Sequence, residues 1–248
     1  MDIHETRKAF IGRHPWELSR TQMLIKVWSR YIEKLHTKAQ ESLTYVNIGA
    51  GDMYFDEVFL RRFPEDEVFA ADIGYDIGSA QVIRDGRKHL VKDIDSLPAH
   101  TLFDYAVMMD SLEYMEDDKA YVSDLIARLK PGGYLFLTVP AYTKLFSEHD
   151  VHVKNLRRYD KKEVLQMLRE LPEIELMDAR HFYFSLFLVR WFQVALRLKI
   201  DPQQKVTTGW KYQENHPLTR LVKGVLNFDF LLGRHFPGLS LMVICKKR

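Results

Sequence analysis

The chain has 248 residues, 46% hydrophobic and 28% charged, with a formal net charge of +2. That composition suits one globular α/β domain with a sizeable core, and a charge so close to neutral excludes nucleic acid as the main partner. A single cysteine, Cys245, excludes an internal disulfide framework; with a start, MDIHETRKAF, that lacks the apolar stretch of a signal peptide, it fits a reducing, cytoplasmic setting.

Pro15 opens a helical pattern with Glu17 in its first turn. Leu24, Trp28, Tyr31, Ile32 and Leu35 then recur on one face, as a helix packing on a domain requires. Trp16 and Arg20 at its start are candidates for closing over a cofactor, so residues 1–40 read as an N-terminal helical lid. Next comes LTYVNIGAGD, an apolar strand running into a glycine-bracketed loop. Gly49, Ala50 and Gly51 let the backbone approach a bound molecule that larger side chains would keep away. Asp72 ends the following apolar strand, residues 68–71, about twenty residues on, where a carboxylate can reach ribose hydroxyls. A dinucleotide fingerprint wants a third glycine where Tyr54 stands, and no Lys-Ser or Lys-Thr follows the loop to make a P-loop. The pocket therefore suits a nucleoside ligand without a pyrophosphate.

A short helix is expected over residues 54–62, a third strand over 89–91 before KDIDSLP, and a fourth over 103–109 ending at Asp110. A helix over 117–129 closes at Lys130-Pro131-Gly132-Gly133, and YLFLTVP reads as a buried strand. Strands alternating with helices in this way predict a Rossmann-like, doubly wound parallel sheet, whose ligands lie beyond the carboxyl ends of the strands. Gly49 to Gly51, Asp72, Asp93 and Asp110 all follow predicted strands. Further on, HFYFSLFLVRWFQVALRLKI is apolar nearly all round, and Leu218, Leu221, Val222, Val225 and Leu226 share one face after Pro217. Its longest apolar run, 182–189, is broken by Arg190 and is too short to cross a bilayer. Residues 182–235 read as an apolar helical cover over the substrate cleft. Two sharper readings stand beside it: a site for a greasy acceptor, and docking on a membrane surface or partner protein through 182–200, with Phe184, Phe187, Trp191 and Phe192 bordered by Arg190, Arg197 and Lys199.

The blocks VNIGAGD, AADIG, KDIDSLP, FDYAVMMDSLEYMEDD, LKPGGYLFLTVPAY and SEHD…RRY together resemble the class I S-adenosylmethionine-dependent methyltransferases in order and spacing. FPGLSLMVICKK and RHPWELSR resemble one small-molecule branch of that superfamily, whose members sit with lipid-like or aryl-polyene pigment biosynthesis. The resemblance implies seven strands with the last antiparallel, the final pair at 174–177 and 239–244, in a single domain over 1–248. It places Gly49, Ala50 and Gly51 against the methionine part of S-adenosylmethionine, Asp72 at the ribose hydroxyls, Asp93 with the backbone of Ile94 at the adenine, and Asp110 near the aminocarboxylate; Ile73, next to Asp72, is a further cofactor contact. Tyr114 and Asn155 stand where relatives commonly carry histidines, which leaves any proton acceptor at those places vacant or supplied elsewhere.

On the acceptor side the candidates are Tyr142, His149, Arg157, Arg158 and Tyr159. His149 next to Asp150 is the candidate general base; Arg157 and Arg158 either fork onto a substrate anion or pair with Glu148 or Asp150 to lock the loop. His149 and His152 lack a carboxylate cluster at ligand spacing, so no metal is expected. Asp110-Ser111-Leu112 replaces the proline loop used on exocyclic or amide nitrogens. The expectation is methylation of a small, lipophilic or aromatic molecule at oxygen. The rival is a catalytically silent module that holds a partner or membrane through residues 182–232.

Overall fold

The computed structural model describes residues 13–39, 41–76, 83–196, 216–233 and 235–248. Residues 1–12 of the expected lid and 197–215 of the expected cover, with Arg197 and Lys199, lie outside the described residues. Eight strands form one sheet: β1 (Thr44–Ile48), β2 (Glu67–Ala71), β3 (Ile83–Asp85), β4 (Lys88–Val91), β5 (Phe103–Met109), β6 (Leu129–Pro140), β7 (Ile174–Phe182) and β8 (Ser240–Lys247), in the order β3-β4-β2-β1-β5-β6-β8-β7. Seven of them follow the Rossmann-like methyltransferase plan, with β8 antiparallel to both its neighbours. The eighth, β3, is an antiparallel edge strand on β4, joined to it through Gly86 and Arg87. Asp85-Gly86 is the local hairpin signal for it, and Gly86 has φ +59°.

The strands alternate by two. Val46 and Ile48 of β1, Leu135, Leu137 and Val139 of β6, and Leu241 and Val243 of β8 enter one core; Tyr45, Tyr134, Phe136, Met242 and Ile244 enter the other. Helices α3 (Asp118–Ala127) and α5 (Lys161–Arg169) cover the first face. The second lies under α1 (Pro15–Ala39), α2 (Tyr54–Leu60) and α7 (Pro217–Leu232). Trp28 of α1 is fully buried, stacked on Phe136 with ring centroids 5.1 Å apart. Most of α1 is thus a core layer, and only its first turns reach the ligand edge. Cys245 is buried among apolar side chains, which pushes its thiol up to about 12.

Three boundaries differ from expectation. The 117–129 helix stops at Ala127, because β6 already pairs at Leu129 with Phe103. The residues between Leu129 and Tyr134 then bulge before Tyr134 meets Tyr105. Gly132 takes φ +84°, and a Cβ on Gly133 would stand 2.7 Å from the Asp104 carbonyl oxygen. β7 runs to Phe182, five residues past the expected end at Met177, because a bulge between Leu176 and Asp178 and an exposed edge break its apolar alternation. The inserted helices are α6 (Phe184–Ala195) and α7, and α4 (Glu148–His152) lies in the segment after β6.

Candidate active site

Strands β1, β2, β4, β5, β6 and β7 point the same way, so their carboxyl ends share one edge. Four non-glycine residues just past strand ends have positive φ: Met53, Asp110 (47°), Tyr142 (64°) and Tyr183. Strain gathered along one edge of a sheet is characteristic of sites that position ligands.

On the β1–β2 side the turn is tied by backbone. The N–H groups of Gly49 and Ala50 donate to the Ala71 carbonyl at 2.8 and 3.2 Å. The Asp72 carboxylate accepts from the N–H of Gly51 and of Gly74, both at 2.8 Å. Gly49 takes φ +70°, and a Cβ there would lie 2.7 Å from Ser111 Cβ, whose hydroxyl donates to the Ile48 carbonyl at 2.9 Å. Asp56 of α2, buried beneath this turn, accepts from Tyr45 Oη and Asn47 Nδ2, both at 2.9 Å; burial pushes its carboxyl up to about 7. Ile73 next to Asp72 is 84% exposed, an apolar side chain presented at the edge. Asp72 and Asp93 follow adjacent strands, and the Asp72 N–H donates to Val91 O at 3.1 Å. Asp93 accepts from the Ser96 N–H at 2.9 Å, capping the turn that carries buried Ile94.

At the β5 end Asp110 accepts from Thr138 Oγ1 at 3.0 Å and pairs with Arg20, whose guanidinium lies 4.3 Å from the Trp16 ring. Arg13 likewise pairs with Asp52 and with Glu17. The start of α1 is therefore pinned to the β1 and β5 ends by two arginines. Glu113 is a residue the sequence pattern did not single out. It is 2% exposed, and burial, then the charge of Asp110, push its carboxyl well up, opposed by Arg20 and Arg158. Its Oε2 and the Nε of Arg20 are buried without hydrogen-bond partners. The signal that could have found it is its place three residues after Asp110, in a turn joined to a parallel strand.

The acceptor-side candidates divide. Asp150 is fully buried and accepts from Ser147 N and Oγ, Asn155 Nδ2 and Arg158 Nε. It is thus occupied away from His149, and no hydrogen bond joins the two; the expected His149–Asp150 dyad is corrected on that ground. His149 is exposed on α4, with its pKa lowered by partial desolvation and then by Arg190. Of the two readings open for Arg158 the structure takes the second: it is buried and gives its donors to Asp150 and the Ala141 carbonyl. It locks the loop. Arg157 binds Asp118 at 3.2 Å and the Glu116 carbonyl at 3.0 Å. Tyr159 Oη donates within 3.2 Å of Leu112 O and 2.9 Å of Asp118, and is likewise committed to structure. Tyr142 alone of this set turns its ring to the apolar insertion: it stacks on His181 (4.9 Å, 7°) and meets Phe187 at 5.1 Å. Phe187, Phe184 and Phe236 continue the row at 6.5 and 5.2 Å.

A family model described as "Methyltransferase domain" matches residues 20–195. No curated protein matches the chain. Among solved structures, the plantazolicin methyltransferase BpumL in complex with SAH superposes with a TM-score of 0.53 at 11% identity, over 94% of this chain and 85% of that one. A SAM-dependent methyltransferase from Archaeoglobus fulgidus superposes with a TM-score of 0.50 at 16% identity, over 92% and 94%. At such identities the superpositions speak for the fold.

Proposed function

The chain belongs to the methyltransferase-domain family, and from that premise we propose that it transfers the methyl group of S-adenosylmethionine to oxygen on a small, lipophilic or aromatic acceptor. The observation that carries the reading is Asp72: its carboxylate ties the Gly51 and Gly74 N–H groups and keeps further lone pairs for a ribose diol. The donor set fits the cofactor at the other end too. Arg20 Nε and Glu113 Oε2, both buried and unpartnered, stand with Asp110 where a zwitterionic aminocarboxylate would satisfy them. Exposed Ile73 and the Asp93–Ile94 turn suit the adenine.

When bound, the cofactor supplies an electrophilic methyl on a sulfonium. The residues of this chain then align and enclose. Gly49, Ala50 and Gly51 keep side chains out of the space beside the methionine part, Asp110 and Arg20 fix its charged end, and Trp16 over Arg20 shields that end from water. Alignment of this kind supplies roughly 7–11 kcal/mol of a two-reactant barrier. The row His181–Tyr142–Phe187–Phe184–Phe236 offers aromatic faces and little charge, which favours an apolar acceptor. The same chemistry agrees with a role in lipid or aryl-polyene-type pigment biosynthesis.

Calorimetric titration with S-adenosylmethionine tests the cofactor half, with heat expected from the wild type and much weaker binding from Asp72→Ala. Incubation with labelled cofactor and a lipid extract tests the other half: the label belongs in one organic-soluble compound. The rival reading, a silent module holding a partner through the 182–232 insertion, is favoured by the outward apolar side chains of α6 and α7. A stoichiometric partner without transfer to any extract component would select it.

A further inference from the structure

Helix α6 reads FSLFLVRWFQVA, polar only at Ser185, Arg190 and Gln193, yet none of its residues is buried. A helix apolar on every side is ordinarily found inside a core. Leu188, Val189, Trp191 and Phe192 instead face outward. Helix α7 repeats the arrangement on two faces. Thr219, Leu226, Asp229 and Phe230 are buried inward, while Leu218, Leu221, Val225, Phe228 and Leu231 recur every three or four residues on the outside, with Leu221 64% and Phe228 65% exposed. The two helices touch through Asp229, which accepts from the N–H and hydroxyl of Ser185. Together these outward side chains expose more apolar surface than single scattered leucines do.

Charge identifies what covers it. Asp229 is the only acid in the two helices, and it is buried and consumed by Ser185. Arg220 is exposed beside the α7 stripe and Lys223 is half-buried one turn on, between Arg220 and the buried face; neither makes an ion pair among the described residues. An apolar face with indole and phenyl rings, a cationic margin and no exposed carboxylate is complementary to an anionic lipid surface. No helix among the described residues is long and apolar enough to cross a membrane, so contact of this face with lipid would be along a surface. The patch also adjoins the aromatic row, since Phe187 of α6 meets Tyr142 and Arg190 donates to Ser147 Oγ at 3.0 Å.

We propose that α6 and α7 seat this protein on an anionic phospholipid surface, so that a lipophilic acceptor enters the site from the bilayer past Phe187 and Tyr142. The acceptor clause rests on the methyltransferase reading above; the seating does not. The full chain is floated with vesicles of phosphatidylcholine and phosphatidylglycerol in equal amounts, and with phosphatidylcholine alone. Binding is expected to the mixed vesicles, weaker to the neutral ones, and weakened by high salt. Leu221→Gln with Phe228→Gln lowers partitioning by more than about tenfold, and Arg220→Glu with Lys223→Glu by about tenfold on the anionic vesicles only. All four positions lie on exposed or half-exposed surface, and unchanged thermal unfolding checks the fold. Calorimetry with S-adenosylmethionine on the same samples separates the two readings: lost vesicle binding with intact cofactor binding strikes only the seating, and the reverse strikes only the enzyme. No flotation with either vesicle overturns the proposal. So does flotation that survives both variants, or a soluble dimer that the Leu221/Phe228 variant dissolves, which would make a second copy the occupant.

Discussion

From Gly49 to Asp110 the ligand edge of the sheet is made of short turns whose carboxylates take backbone N–H groups and arginines; from Tyr142 to Phe236 it is made of stacked rings carried on an insertion that buries little of itself. The first half is held by backbone donors and by two arginines of α1, while Arg20 Nε and Glu113 Oε2 stay buried without partners beside Asp110. The second half depends on a locked loop beneath it and leaves apolar surface on show. A charged, polar ligand needs the first kind of wall and a greasy one the second, which is why the proposed reading gives the cofactor to the first half and the acceptor to the second.

The largest effect that could break this picture lies under the acceptor half. Arg158→Met leaves the Asp150 carboxylate buried without its cation, which costs about 3–5 kcal/mol; chemical denaturation measures it, and adding Asp150→Asn should restore part. Next comes Asp56, whose folded carboxyl sits near 7 against an ordinary 3.8. The unfolded chain releases this proton first, so stability falls as pH rises from about 4 to about 7 and then levels, by an amount on the order of a few kcal/mol. Denaturation midpoints across that range should show the slope, and Asp56→Asn should flatten it. In the cofactor half, Asp72→Ala should weaken S-adenosylmethionine binding about a hundredfold or more by calorimetry, since two hydrogen bonds to a charged group are lost. Gly49→Ala puts a Cβ against Ser111 in a left-handed conformation, at a cost of about 1–3 kcal/mol. Ser111→Gly on top should relieve the contact but not the backbone strain, and a melting series separates the two. The smallest effect is expected at His149. With Asp150 committed elsewhere, His149→Gln should slow turnover by less than the roughly 10²-fold that a general base contributes; a larger fall in kcat would restore it to the chemistry and undo the division drawn above.

The strand-and-turn layout of the glycine and acid half was legible in the sequence because its information is local. A glycine pair, an acid after each strand and the spacing between them are set within a few residues, and a strand buried on both faces announces itself as a continuous apolar run. The acceptor half was legible only in composition. Arg157 and Arg158 read equally well as anion ligands or as locks for their loop, and only the fold shows Asp118 and Asp150 taking them, with Tyr159 also on Asp118. Glu113 was passed over for the converse reason: its place three residues after Asp110 is a local hint, but only the fold buries its carboxyl there.

The sequence by itself determined the strand and helix pattern, the two alternating cores and the glycine turn, since each follows from side-chain periodicity and backbone freedom along a few consecutive residues. The tertiary structure alone decided which charges are spent inside the protein and which face of α7 is left uncovered. Those outcomes depend on which groups meet across the fold, and an ion pair or an unpartnered helix face has no trace in the spacing of the residues that make it.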